Sequence, residues 1–139
     1  GASIHTTKSR GKVVHQLVTA VHVGNTNERI IREVASIADQ CGLKYGLYLR
    51  PRSSNKHKPL WEVIFSGGKR VEAVLEYVMP YLVGKQDQAE LLLRLVRHRR
   101  TTAAKPLRDS KGRVLGTLPV LSDTAAIEMT RALSAMKRA

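Results

Sequence analysis

The order of apolar patterns along this 139-residue chain predicts an α+β fold. Two ββα units form one antiparallel sheet, with helices packed on one face and the other face left open. Three observations carry this expectation. Residues 13–23 alternate at period two, the spacing of a half-covered strand. Residues 28–40 and 71–79 repeat their apolar positions at helical spacing. Polar or glycine-rich turns separate the segments. With 42% hydrophobic residues, the chain has enough apolar material for one domain with a core of its own.

The elements follow in order. Residues 2–8 and 13–23 are runs of β-formers around a Ser-Arg-Gly turn. In the second run Leu17, Thr19, Val21 and Val23 make one face, and Gln16, Val18, Ala20 and His22 make the other. The polar GNTN at 24–27 leads into a helix, since Asn25, Thr26 and Asn27 can each accept from the first free backbone amides. Ile30, Ile31, Val34, Ile37 and Ala38 mark that helix, and Cys41-Gly42 ends it. LKYGLYLR at 43–50 and PLWEVIFS at 59–66 read as the next two strands, joined by the basic loop PRSSNKHK. Gly67-Gly68 opens a second helix carrying Val71, Val74, Leu75, Val78 and Met79, and Pro80 ends or kinks it. A third helix is expected from about Lys85 to Arg97, with Ala89, Leu92, Leu93 and Val96 as its stripe. Beyond RHRR at 97–100 the chain reads as loop, with an SKGR turn, until a last amphipathic helix after Ser122-Asp123. Residues 1–100 thus form the main domain, and 101–139 a loop plus a terminal helix packed on it.

Charge narrows the function. The chain carries 24 Lys and Arg against 11 Asp and Glu, a formal +13. Such an excess repels itself unless a polyanion neutralises it, which points to nucleic acid first and to an anionic membrane surface second. The membrane reading is the weaker, because the apolar stripes are committed to a core and no run approaches the roughly 20 residues of a membrane span. Cys41 is the sole cysteine, which removes disulfides and cysteine-based zinc sites and fits a reducing, soluble compartment. Aromatic residues make up 4%, too few to favour single-strand stacking, so duplex grooves are the expected target.

The open sheet face should present Gln16, His22, Lys44, Tyr48 and Arg50. Lys8, Arg10 and Lys12 at one edge, and Arg50, Arg52, Lys56 and Lys58 at the other, frame it with cations. A cation-rimmed antiparallel sheet can lie in a DNA major groove. The histidines at 5, 15, 22, 57 and 98 show no metal-ligand spacing, and His15 and His22 differ in parity. SGGKR at 66–70 lacks the spacing of a phosphate-cradling loop. RHRR reads equally as a basic helix C-terminus or as a phosphate contact. Lys85 is placed in the first turn of a helix, where the dipole disfavours a cation, so it is either plain surface charge or a residue beside an anion.

GKVVHQLVTAVHVGNTNERI, LKYGLYLR and above all MPYLVGKQDQAELLL resemble the LAGLIDADG homing endonucleases, in particular the single-repeat, intron-encoded type. The resemblance runs through roughly residues 1–98 and implies an αββαββα domain whose four-stranded sheet saddles the major groove. It implies double-stranded DNA as partner, with a second copy or a second repeat domain supplying the other half-site. It also implies Mg2+-dependent, site-specific phosphodiester cleavage in the complete protein. On this resemblance Asn25, Arg29 and Lys85 surround the active site. Thr7, Ser9, Arg10, Gln16, His22, Tyr48 and Arg50 read bases, and Lys12, Lys44, Arg52, Lys56 and Lys58 supply further DNA contacts. Gly1-Ala2-Ser3-Ile4 aligns with the end of the name motif, so the first helix and its metal-binding aspartate are not among these residues. The expectation is a piece of a longer nuclease or, alternatively, a non-catalytic DNA- or RNA-binding derivative of maturase-like or regulatory kind.

Overall fold

The computed structural model describes residues 2–9, 11–51, 56–103, 106–117 and 120–136. Strand β1 (Ala2–Ser9) and strand β2 (Lys12–Asn25) form a hairpin in which Ser9 faces Lys12. Gly11 takes φ 76° in its turn, a conformation that costs glycine least. Helix α1 (Glu28–Gln40) follows, then β3 (Gly46–Arg50), β4 (Leu60–Ser66) and α2 (Gly68–Val78). A 3-10 turn over Met79–Tyr81 leads into α3 (Gln86–Ala103). The chain closes with a short hairpin, β5 (Pro106–Arg108) and β6 (Val114–Thr117), a 3-10 turn, and α4 (Thr124–Met136).

The main sheet has the order β1-β2-β4-β3 and is antiparallel throughout. Strand β2 spans it: residues 12–19 pair with β1 and residues 20–25 with β4. Period two then divides the faces. Leu17, Thr19, Val21, Val63 and Phe65 point to the helices, and Thr19, Val63 and Phe65 are buried. Two apolar clusters fill the space beneath. Ile31, Ala35 and Ala38 of α1 join Val63, Phe65 and Val74 in one. Val71 and Leu75 of α2, Ala89, Leu92, Leu93, Leu95 and Val96 of α3, and Ala126 and Leu133 of α4 make the other, which Ala2 also enters. Val21 packs against both, so the middle of β2 links the two halves of the core.

Local chemistry explains the boundaries. Asn27 caps α1 by accepting from the Arg29 amide at 3.0 Å, and Asn25 Oδ1 accepts from the Asn27 amide at 2.9 Å. Gly67 ends β4 at φ 94°, its amide donating to the Thr19 carbonyl at 3.2 Å while its own carbonyl receives the Val71 amide at 3.0 Å. One glycine in a conformation other residues resist therefore joins the last sheet bond to the first turn of α2.

Three expectations need correction. The third helix does not stop near Arg97 but runs to Ala103. RHRR lies inside it and is held by Glu72 and Glu76 of α2 and by Asp123, the residue that caps α4. The stretch beyond is not plain loop, because β5 and β6 pair across the SKGR turn. Asp109 organises that turn, accepting from the amides of Lys111 and Arg113, each at 2.9 Å. Lys85 is not in the first turn of α3. Its carbonyl accepts from the Ala89 amide at 3.0 Å, which makes it the residue before the helix.

Candidate nucleic-acid interface

The face of the sheet turned away from the helices carries the even-numbered residues of β2. Gln16 and His22 are exposed on it, and across β4 stand Tyr48 and Arg50 of β3, also exposed. The β1–β2 register places Thr7 opposite Val14 and Ser9 opposite Lys12, in the same alternation as His5 opposite Gln16. Arg10 and Arg52 lie outside the described residues, as do the side chains of Thr7, Lys8, Ser9 and Lys12. Lys44 is exposed but stands in the connector ahead of β3, so it is not a sheet position as expected. Lys56 and Lys58 are exposed in the loop before β4.

The centre of this face holds a residue that the sequence reading passed over. Glu62 of β4 lies opposite Gly24 on one side and Tyr48 on the other, and only 8% of it is exposed. His22 Nδ1 lies 2.7 Å from its Oε1, and Arg50 Nε donates to its Oε2. Both partners are diagonal neighbours on the flanking strands, within the reach that sheet geometry allows long side chains. Burial works against the Glu62 charge, but the hydrogen bonds from His22 and Arg50 outweigh it and hold the carboxyl below its ordinary range. The signal available in the sequence was LWEVIFS itself, a single carboxylate in an otherwise apolar strand. Gly46 is a second such case. A side chain there would collide with the ring of Tyr48, which rests over it on the same face.

The expected active-site residues stand on different elements, Asn25 at the end of β2, Arg29 in α1 and Lys85 just before α3. Lys85 lines a cavity of about 560 Å³ with His22, Val21, Leu82, Gln88 and Leu133, between β2 and the helices. Neither Asn25 nor Arg29 lines that cavity. Asn25 spends its Oδ1 on the turn before α1, and Arg29 is exposed on the first turn of that helix. The RHRR stretch is occupied within the fold. Arg97 Nη2 donates to Glu76 at 2.7 Å, Arg100 pairs with Glu72, and His98 and Arg99 meet Asp123 at 2.7 and 3.0 Å.

A divalent metal needs a convergent set of oxygen or nitrogen donors. Among the described residues no three of His, Cys, Asp and Glu are grouped to hold one, and Glu62 already has His22 and Arg50 as partners. On their own the described residues assemble no three-donor cage for a divalent ion, and a Mg2+ site here would have to draw on one or two carboxylates, water and the phosphates of bound DNA. Among them, too, no helix is long and apolar enough to cross a membrane.

The sheet order and the helices behind it are the fold of the LAGLIDADG homing endonucleases, as the sequence resemblance implies. The archaeal intron-encoded homing endonuclease I-Vdi141I, solved in complex with DNA, superposes with a TM-score of 0.58 at 8% identity, over 97% of this chain and 74% of that one. The homing endonuclease I-CvuI, solved with its target in the presence of calcium, gives a TM-score of 0.48 at 18% identity, over 94% of this chain and 73% of that one. A second I-CvuI structure, with the I-CreI target uncleaved in the presence of magnesium, gives 0.47 at 18% identity, over 96% and 87%. No protein-family model and no curated protein matches the sequence.

Proposed function

We propose that this chain is a double-stranded DNA-binding domain of homing-endonuclease type, which lays the open face of its β1-β2-β4-β3 sheet in the major groove. The observation that carries this reading is the division of the sheet. One face is sealed by helices, while the other presents Gln16, His22, Tyr48 and Arg50 beside a cationic loop. Gln and Arg side chains suit the adenine and guanine edges of that groove. The net charge of +13 supplies the attraction to phosphate. The archaeal homing endonuclease I-Vdi141I, which shares this fold and was solved in complex with DNA, supports the same partner.

Site-specific, metal-dependent cleavage belongs, on this reading, to an assembled protein in which further carboxylates join the sheet. A second copy or a second repeat there reads the other half-site. A non-catalytic binder would use the same surface.

Binding to duplex DNA measured across salt concentrations tests the proposal. Affinity should fall steeply, log K dropping by about 0.9 per phosphate neutralised for each tenfold rise in salt. Salt-insensitive affinity, or no preference for duplex over single strands, would overturn it. A plasmid-nicking assay with magnesium separates the two readings, since cutting by the isolated chain excludes the non-catalytic one.

A further inference from the structure

An acidic side chain at the centre of a surface meant for a polyanion calls for an explanation. Glu62 is nearly buried, lies on the open face, and touches two of the exposed side chains that the DNA-binding reading relies on. We propose that Glu62 is a positioning residue for base readout, fixing the tautomer of His22 and the orientation of Arg50. This rests on the duplex-binding reading above and adds to it which atoms do the reading.

The chemistry follows from the donor inventory. An ionised carboxylate only accepts hydrogen bonds, so the His22 nitrogen 2.7 Å from Glu62 Oε1 must carry the proton. That nitrogen is Nδ1, which leaves Nε2 of the neutral ring as an acceptor. In the major groove an acceptor meets the exocyclic amino group of adenine or cytosine and is repelled by the O6 and N7 of guanine. Arg50 is held by Nε, the inner donor of its guanidinium. The two terminal nitrogens remain as the fork that matches the guanine edge. With His22 still 47% and Arg50 58% exposed at the side chain, both project from the sheet while their bases are tethered. Gly24, beside Glu62 on β2, adds no side chain to compete for the carboxylate. The structure therefore assigns one acceptor and one two-pronged donor to this patch, both set by a single carboxylate.

The test uses the whole chain and two substitutions. Glu62→Met removes both acceptors at similar length, whereas Glu62→Gln keeps one oxygen and can serve only one partner. Selection from a randomised duplex pool should show wild-type preferences for guanine at one base pair and for adenine or cytosine at another. In Glu62→Met those preferences should weaken about tenfold or more, the scale of one lost bidentate contact. Affinity for bulk duplex should hold or rise, since the substitution removes a negative charge and leaves the phosphate-attracting cations in place. Glu62→Gln should recover one of the two preferences. Nitrogen-15 NMR of the His22 ring should report the Nδ1–H tautomer in the wild type and a shift toward Nε2–H in Glu62→Met. A wild-type ring in the Nε2–H form overturns the proposal even where a variant fails to fold. Duplex binding with selection profiles unchanged by Glu62→Met overturns it while leaving the DNA-binding reading intact. Failure of the wild type to bind duplex removes both.

Discussion

His98 Nε2 lies 2.7 Å from Asp123 Oδ1, tying the second half of α3 to the residue that caps α4. Arg99 Nη1 reaches the other oxygen at 3.0 Å, and the Ala126 amide donates to Oδ1 at 3.2 Å. Asp123 is 4% exposed, so its charge is matched where water cannot solvate it. One carboxylate thereby fastens the terminal helix to the core, and half of the basic RHRR run is committed to holding it.

Asp123→Ala should therefore destabilise the chain by about 3 kcal/mol, read as a lower denaturant midpoint at unchanged slope. The loss combines the hydrogen bonds to His98 and Arg99 with an empty helix cap.

Stability should also depend on Asp123 in acid. Burial raises its pKa, but the hydrogen bonds from His98, Arg99 and the Ala126 amide outweigh that and leave it lowered. A carboxyl lowered on folding stabilises above the unfolded value of about 3.9 and loses that contribution as pH falls through its folded value. Below about pH 4 the wild type should lose stability with falling pH more steeply than Asp123→Asn. Parallel curves would show that another group sets the acid limb.

Arg97 and Arg100 give the opposite test of the same run. Arg97 pairs with Glu72 and Glu76, and Arg100 with Glu72, on the exposed flank of α2 and α3. Alanine at either should cost about 0.5–1 kcal/mol of stability. It should leave the salt slope of duplex binding unchanged. A slope smaller by about 0.9 per arginine would place them on phosphate instead.

Leu95 is fully buried among α2, α3 and α4, on the side of the core away from α1. Leu95→Ala should lower stability by about 2–5 kcal/mol. Thermal melting followed by circular dichroism measures it.

Lys85 makes its helix contribution through its backbone carbonyl, so its side chain is dispensable for folding. Lys85→Met should change stability by less than about 0.5 kcal/mol. If its ammonium meets a scissile phosphate, an assembled protein that cuts DNA should lose about a hundredfold or more in cleavage and keep its duplex affinity. Equal loss of both would assign Lys85 to binding alone.

Much of the architecture was legible in the chain. The alternation through Leu17, Val21 and Val23, the asparagines before Glu28 and the glycine pair after Ser66 each act over a few residues, and each element formed where its pattern stood. The resemblance carried by MPYLVGKQDQAELLL named the fold. What stayed hidden was non-local. RHRR looks the same whether it faces phosphate or glutamate, and its partners Glu72, Glu76 and Asp123 stand 21 to 28 residues away. The hairpin of β5 and β6 depends on pairing too short for periodicity to reveal.

Glu62 marks the boundary most clearly. By itself the sequence determined that the chain is basic, that its strands have one open face, and that His22 and Arg50 belong there. The tertiary structure alone decided that both meet one carboxylate, because strand register brings together residues 40 and 12 positions from Glu62. Period and capping are properties of neighbouring residues. A shared proton acceptor is a property of three strands, and only their pairing could place it.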